Sequence, residues 1–100
     1  MINRGGEKMT SSDVEEALYR IGGIAEAVVV GIPDDIYGEV PAALIKPEKG
    51  FAPDETGIRE PLRTQIAKYK IPVKIVVSEE IPLSSGGKPD RKAIRKMLER

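Results

Sequence analysis

Ala25-Glu26-Ala27-Val28-Val29-Val30-Gly31-Ile32-Pro33-Asp34-Asp35-Ile36-Tyr37-Gly38-Glu39-Val40-Pro41-Ala42-Ala43-Leu44-Ile45 is the stretch on which the fold turns. Its first part, Ala25 to Ile32, is rich in Val and Ile and reads as a β-strand, stopped by Pro33-Asp34-Asp35. After a turn at Tyr37-Gly38, Val40 to Ile45 reads as a second strand. Pro41 within it has no amide proton, which points to a sheet edge or a bulge.

Working outward towards the N-terminus, Val14, Ala17, Leu18 and Ile21 follow the i, i+3, i+4, i+7 spacing of one buried helical face. Thr10 supplies a hydroxyl cap for that helix, Asp13 a carboxylate in its first turn, and Gly22-Gly23 its end. Residues 1–9 read as a tight hairpin or loop around Gly5-Gly6, where the backbone can enter conformations most residues avoid. In the other direction, Lys46 to Pro53 is a loop. Ile58, Leu62 and Ile66 recur every fourth residue and predict a second amphipathic helix over roughly Asp54 to Lys68. Lys74 to Val77 reads as a third strand, Ser84 to Lys88 as a polar loop, and Asp90 as the cap of a final helix carrying Ile94, Met97 and Leu98. The expected fold is a small α+β domain: a three-stranded sheet with packed helices, preceded by an N-terminal hairpin or loop.

The chain is 100 residues long, enough for one modest core. Sixteen basic residues balance sixteen acidic ones, so no net field draws nucleic acid or a membrane surface. With no Cys and no His, disulfides, thiolate chemistry and the usual zinc ligands are excluded, and no metal site is expected. No apolar run is long enough to span a bilayer and no secretory leader is apparent, so the expected location is cytoplasmic.

Three segments could carry chemistry. Ile81-Pro82-Leu83-Ser84-Ser85-Gly86-Gly87-Lys88 sets a lysine on a loop of Gly and Ser, from which an ammonium can reach a phosphate or carboxylate. It is not a nucleotide P-loop, because Pro82 and Pro89 occupy the positions where that motif needs Gly and Ser or Thr. Asn3-Arg4-Gly5-Gly6-Glu7-Lys8 has paired glycines that let a ligand or a second backbone approach closely. Tyr69-Lys70-Ile71-Pro72 puts an aromatic ring and a cation before a rigid proline, suited to stacking on a base and meeting a phosphate. Taken singly, a solvated loop, an ordinary turn and a ring at the edge of the core are the commoner explanations.

In this order and spacing, however, the three segments resemble the C-terminal domain of the adenylate-forming (AMP-binding) superfamily, which includes acyl-CoA synthetases, aryl acid–AMP ligases and peptide-synthetase adenylation domains. Val14-Glu15, Val28 to Asp34, Tyr37-Gly38-Glu39-Val40 and the run from Pro82 to Arg91 extend the resemblance over essentially the whole chain. Three positions depart from the family pattern: Ser11 replaces a frequent proline, Asn3 a frequent lysine, and Pro89 the usual aliphatic residue after the lysine.

The resemblance implies that residues 1–100 are the mobile C-terminal domain of a ligase whose large N-terminal adenylation domain is its partner. In such enzymes a carboxylic acid reacts with Mg-bound ATP to give an acyl-adenylate, and the thiol of CoA or of carrier-protein pantetheine then displaces AMP. It implies Lys88 as the catalytic residue of the first half-reaction, on a loop supported by Gly87. Gly5, Gly6 and Glu7 would line the thiol passage, and Tyr69 and Lys70 would meet the nucleotide end of CoA. By itself the domain would bind none of these tightly and would be inactive. The alternative is a free-standing interaction module of the same fold that adenylates nothing. The coding sequence upstream of the Met1 codon separates the two.

Overall fold

The computed structural model of the chain describes residues 1–99. A short hairpin, β1 (Ile2–Arg4) and β2 (Glu7–Met9), leads into helix α1 (Ser11–Tyr19). Two long strands follow, β3 (Ile24–Asp34) and β4 (Gly38–Pro47), and then α2 (Glu55–Leu62), β5 (Lys74–Val77) and α3 (Arg91–Leu98).

β4 is the centre of the sheet. β3 runs antiparallel along one of its edges, with Val28 opposite Leu44 and Val30 opposite Ala42. The other edge is shared: Arg4 of β1 bridges Gly38 at one end, and β5 pairs in parallel with Ala42 to Ile45 further on. The class is α+β as expected, but the hairpin joins the sheet and makes it five-stranded rather than three-stranded. Only Ile2 and Met9 of the hairpin strands are buried, beside Asn3, Arg4, Glu7 and Lys8. A three-residue strand with one apolar contact is too short for period-two alternation to register in the sequence.

Successive strand residues point to opposite faces, and both faces are covered. Ala27, Val29, Ala43, Ile45 and Ile75 share a core with Val14, Ala17 and Leu18 of α1 and Ile58 and Leu62 of α2. Val28, Val30, Ile32, Val40, Ala42 and Leu44 pack on the other face against Ile81 and against Ile94 and Leu98 of α3. This two-sided burial is why the deciding stretch reads as near-continuous apolar runs instead of alternating, even though β3 and β4 are antiparallel.

Pro41 sits neither on an outer strand nor at a bulge. Its carbonyl accepts from the Val73 N–H at 2.9 Å, so its backbone polar groups face the edge that β1 and β5 share. Parallel pairing with β5 begins one residue later, at Ala42, and the β1 bridge lies back at Gly38. The absent N–H therefore falls in the gap between two neighbouring strands, and no ladder bond is lost.

Thr10 caps α1 by accepting from the Asp13 N–H at 3.2 Å, and Asp90 caps α3 by accepting from the Ala93 N–H at 3.1 Å. Asp54 does the same for α2 through the Gly57 N–H. α2 stops at Leu62, several residues before the expected Lys68. Pro61 lies inside its last turn, and the chain then tightens through i→i+3 bonds from Arg63, Thr64 and Gln65. Ile66 still packs on the core, from a turn rather than a helix, which is why its spacing misled. Among the described residues no helix is long and apolar enough to cross a membrane.

Candidate functional site

The Lys88 segment is an ordered hairpin rather than an open loop. Leu83 pairs with Pro89 across it, Ser84 N–H donates to the Lys88 carbonyl at 2.7 Å, and Asp90 N–H donates to the Pro82 carbonyl at 2.8 Å. In this register Leu83 and Pro89 are a pair that exchanges no hydrogen bonds, so proline sits where its missing N–H costs nothing. The turn closes through Gly87 N–H to the Ser84 carbonyl at 2.9 Å, with Gly87 at φ +80°. That positive φ is the physical reason for glycine there, since a Cβ would meet nothing within 4 Å. The Ser84 hydroxyl also donates to the Lys88 carbonyl, at 3.1 Å. Backbone and base of the hairpin are thus tied while the Lys88 side chain stands exposed. The hairpin runs directly into α3.

The second region forms around the β1–β2 turn, on the far side of β4 from β3. Gly5 and Gly6 have φ of +57° and +93°, the mirror-image conformation that two-residue hairpin turns require. Gly5 N–H donates to the Tyr37 carbonyl at 2.8 Å, and the Tyr37 ring lies against the glycine, where a Cβ would come within 3.1 Å of it. Gly6 N–H donates to Asn3 Oδ1 at 3.0 Å, and a Cβ on Gly6 would point into open space. The Arg4 guanidinium lies 4.7 Å from the Tyr37 ring centre and donates to the Tyr69 carbonyl at 3.2 Å, which joins the turn to the Lys68–Lys70 segment.

A groove of about 440 Å³ results, lined by Arg4, Gly5, Glu7, Tyr37, Lys68 and Tyr69. A second, of about 540 Å³, shares Arg4 and Lys68 with it and adds Arg59, Arg63, Ile71 and Val73. Four cations thus gather on one side of a molecule whose charges balance overall. Arg59 is engaged by Glu55 and by the Pro72 carbonyl, and Arg63 lies 3.7 Å from Glu60, so part of this charge is answered locally.

Of the residues singled out from the sequence, Gly5, Glu7 and Tyr69 come together in this groove. Tyr69 is half-buried and also packs against the core. Lys70 lies 5.8 Å from the Tyr69 ring centre and 3.8 Å from Asp13, and Lys68 rather than Lys70 lines the groove. Lys88 and Gly87 line neither groove. Among the charged and aromatic groove residues, Arg4, Tyr37, Arg59, Arg63 and Lys68 are those to which sequence reasoning gave no role. The four-residue step from Arg59 to Arg63 sets both on one side of α2 and its end, and was the available signal. Among the described residues no three acidic, His or Cys side chains converge where a metal ion could sit.

Residues 13–88 match the family described as the AMP-binding enzyme C-terminal domain. The chain belongs to that family. It is 40% identical over 89 residues to a medium/long-chain-fatty-acid–CoA/3-oxocholest-4-en-26-oate–CoA ligase of Mycolicibacterium smegmatis, covering 89% of this chain and 16% of the relative. It is 36% identical over 99 residues to a salicylyl-CoA synthase/salicylate adenylyltransferase of a Streptomyces species, covering 98% of this chain and 18% of the relative. Among solved structures, apo MatB from Rhodopseudomonas palustris superposes with a TM-score of 0.90 at 27% identity, over 97% of this chain and 19% of that one. The chain therefore spans less than a fifth of the length of each of these proteins.

Proposed function

We propose that residues 1–100 form the mobile C-terminal domain of an ATP-dependent acid–thiol ligase, and that the domain serves the two half-reactions with different surfaces. The observation that carries this reading is the separation of the two candidate regions. The Lys88 hairpin leads into α3, which covers one face of the sheet, while the Gly5-Gly6 turn and its groove belong to β1, β2 and the end of α2 beyond the other side of β4. A rotation of the domain between the halves would present each region in turn to a single reacting centre.

In the first half a carboxylate oxygen of the acid attacks the α-phosphorus of ATP, and pyrophosphate leaves. The Lys88 ammonium bridges the incoming carboxylate and the α-phosphate and stabilises the charge that builds there. In the second half the thiol gives up its proton, its sulfur attacks the acyl carbon, and AMP leaves. The Gly5-Gly6 turn is then the passage wall, kept low by the absence of side chains. Arg4, Arg63 and Lys68 face the phosphates at the nucleotide end of CoA, with Tyr37 and Tyr69 offering ring surface to its base.

Two measurements test this. The isolated 100-residue chain, incubated with ATP, CoA and a panel of carboxylic acids, is expected to release neither pyrophosphate nor AMP. Turnover abolished by Lys88→Ala would show instead that the small domain needs no partner. In the ligase bearing this domain, the double change Arg63→Glu and Lys68→Glu is expected to raise KM for CoA by about tenfold or more, the loss of two charge-assisted contacts. Acid-dependent pyrophosphate release should be unchanged. An unaltered KM would return the groove to ordinary solvated surface.

A further inference from the structure

Glu15 of α1 and Arg91 of α3 belong to the pattern that carries the family resemblance, yet neither has a part in the chemistry above. In the fold they meet, 76 residues apart. Their meeting point is Val29 on β3, the strand whose outer edge has no neighbouring strand among the described residues. Val29 N–H donates to Glu15 Oε2 at 2.8 Å, Arg91 Nη1 donates to the Val29 carbonyl at 2.8 Å, and Arg91 Nη2 lies 3.3 Å from the same Glu15 oxygen. Three groups thus close a ring around one buried residue of the unpaired edge.

Covering the edge explains only part of this arrangement. The Tyr19 hydroxyl already accepts from the Ala27 N–H at 3.0 Å, and Glu15 blocks the next outward N–H without help. Arg91 adds a connection to a different element. It is the first residue of α3 and follows Asp90, which caps the helix and donates its N–H to Pro82 at the base of the Lys88 hairpin. Burial of Ile94 and Leu98 fixes the middle and end of α3, whereas its first turn is fixed by Arg91 reaching the sheet edge. The acid side of the pair is shielded, with Glu15 16% exposed against 51% for Arg91, and both contacts of the guanidinium are charge-assisted.

We propose that the Glu15–Val29–Arg91 ring is a positioning device for Lys88, tying the first turn of α3 and the hairpin before it to the outer edge of β3. The inference rests on the adenylation role given to Lys88 above. With its guanidinium half-exposed the ion pair adds little to global stability, so the ring governs where the hairpin stands and not whether the domain folds. Displacement of a reacting group by about an ångström is enough to cost up to roughly a hundredfold in rate.

The test uses Arg91→Ala and Arg91→Lys with two readouts. In the 100-residue chain, Arg91→Ala is expected to speed amide exchange at Ser84, Gly87 and Asp90 by about tenfold, as local opening becomes easier, and to leave Val28 and Leu44 unchanged. In the ligase bearing the domain, acid-dependent pyrophosphate release should fall by about tenfold, thioester formation from pre-made acyl-adenylate should stay within about twofold, and Arg91→Lys should recover part of the loss. Lys88→Ala is measured in parallel. If it fails to slow adenylation, the role given to Lys88 is wrong, and hairpin exchange alone then decides the ring. If Lys88→Ala slows adenylation while Arg91→Ala changes neither hairpin exchange nor pyrophosphate release, the positioning inference is overturned. It is equally overturned if Arg91→Ala lowers the melting temperature, quickens core exchange and depresses both half-reactions together.

Discussion

Replacing Lys88 by Ala in the ligase bearing this domain is expected to slow acyl-adenylate formation on the order of a hundredfold or more, the size seen when a charge contact made in the transition state is removed. The substitution is a clean one on structural grounds. Lys88 contributes its carbonyl to the hairpin, where Ser84 N–H and the Ser84 hydroxyl both donate to it, and Ala keeps that carbonyl. The side chain itself is exposed, so truncation opens no cavity in the core. Pro89 holds the residue before it in the extended region whichever side chain it carries. What Ala removes is the ammonium. Thioester formation from pre-made acyl-adenylate should therefore survive if, as proposed above, a different surface of the domain serves that step. Both half-reactions are assayed separately, as acid-dependent pyrophosphate release and as thioester from supplied adenylate. Equal losses in the two would remove Lys88 from its assigned half-reaction.

Much of the fold was legible because its long elements obey strong local rules. Val28 to Ile32 and Val40 to Ile45 are apolar on both faces, and the structure buries both faces. Thr10 and Asp90 are caps in the sequence and caps in the structure, since a short oxygen-bearing side chain before a helical run has few other uses. The rest depended on contacts between distant segments. β1 enters the sheet through one bridge from Arg4 to Gly38, which no periodicity in Ile2–Arg4 announces. Pro41 reads as an edge or bulge residue from its missing N–H alone, and only the arrangement of β1 and β5 reveals a gap inside the sheet that suits it equally well. Pro89 departs from the family pattern, yet it occupies a hairpin position that makes no hydrogen bond through its nitrogen.

The candidate site divides the same way. The Gly-Gly turn and the Lys88 hairpin are contiguous in sequence, so residue types and spacing were enough to single them out. The basic groove is assembled from Arg4, Arg59, Arg63 and Lys68, which belong to three separate segments. Beyond the four-residue step from Arg59 to Arg63, its members carry no local mark but ordinary surface charge. The sequence singles out Lys70 beside Tyr69, but Lys70 lies 3.8 Å from Asp13 and it is Lys68, on the other side of the ring residue, that lines the groove. Glu15 and Arg91 stood in the quoted pattern without a role until Val29 was seen between them.

Gly6→Leu is the counterpart of the Lys88 experiment, expected to abolish most thioester formation while leaving acid-dependent pyrophosphate release largely intact. The geometry distinguishes the two glycines. A side chain at Gly5 would press on the Tyr37 ring at 3.1 Å, so any loss there mixes packing with passage. At Gly6 a Cβ meets nothing within 4 Å, so a leucine there has open space beside the turn rather than a packed neighbour. The competing explanation is backbone strain. Gly6 lies at φ +93°, where any L-residue is disfavoured, at a cost of roughly 1–2 kcal/mol. Strain of that size would lower the melting temperature and weaken both half-reactions together. Gly6→Ala supplies the control, because it suffers nearly the same backbone penalty with a side chain too short to close a passage. A small loss for Ala and a large one for Leu, confined to the thiol step and with equal melting temperatures, is the expected pattern. Equal damage from Ala and Leu would assign Gly6 to the turn alone, since the backbone penalty is common to both and only the length of the side chain differs.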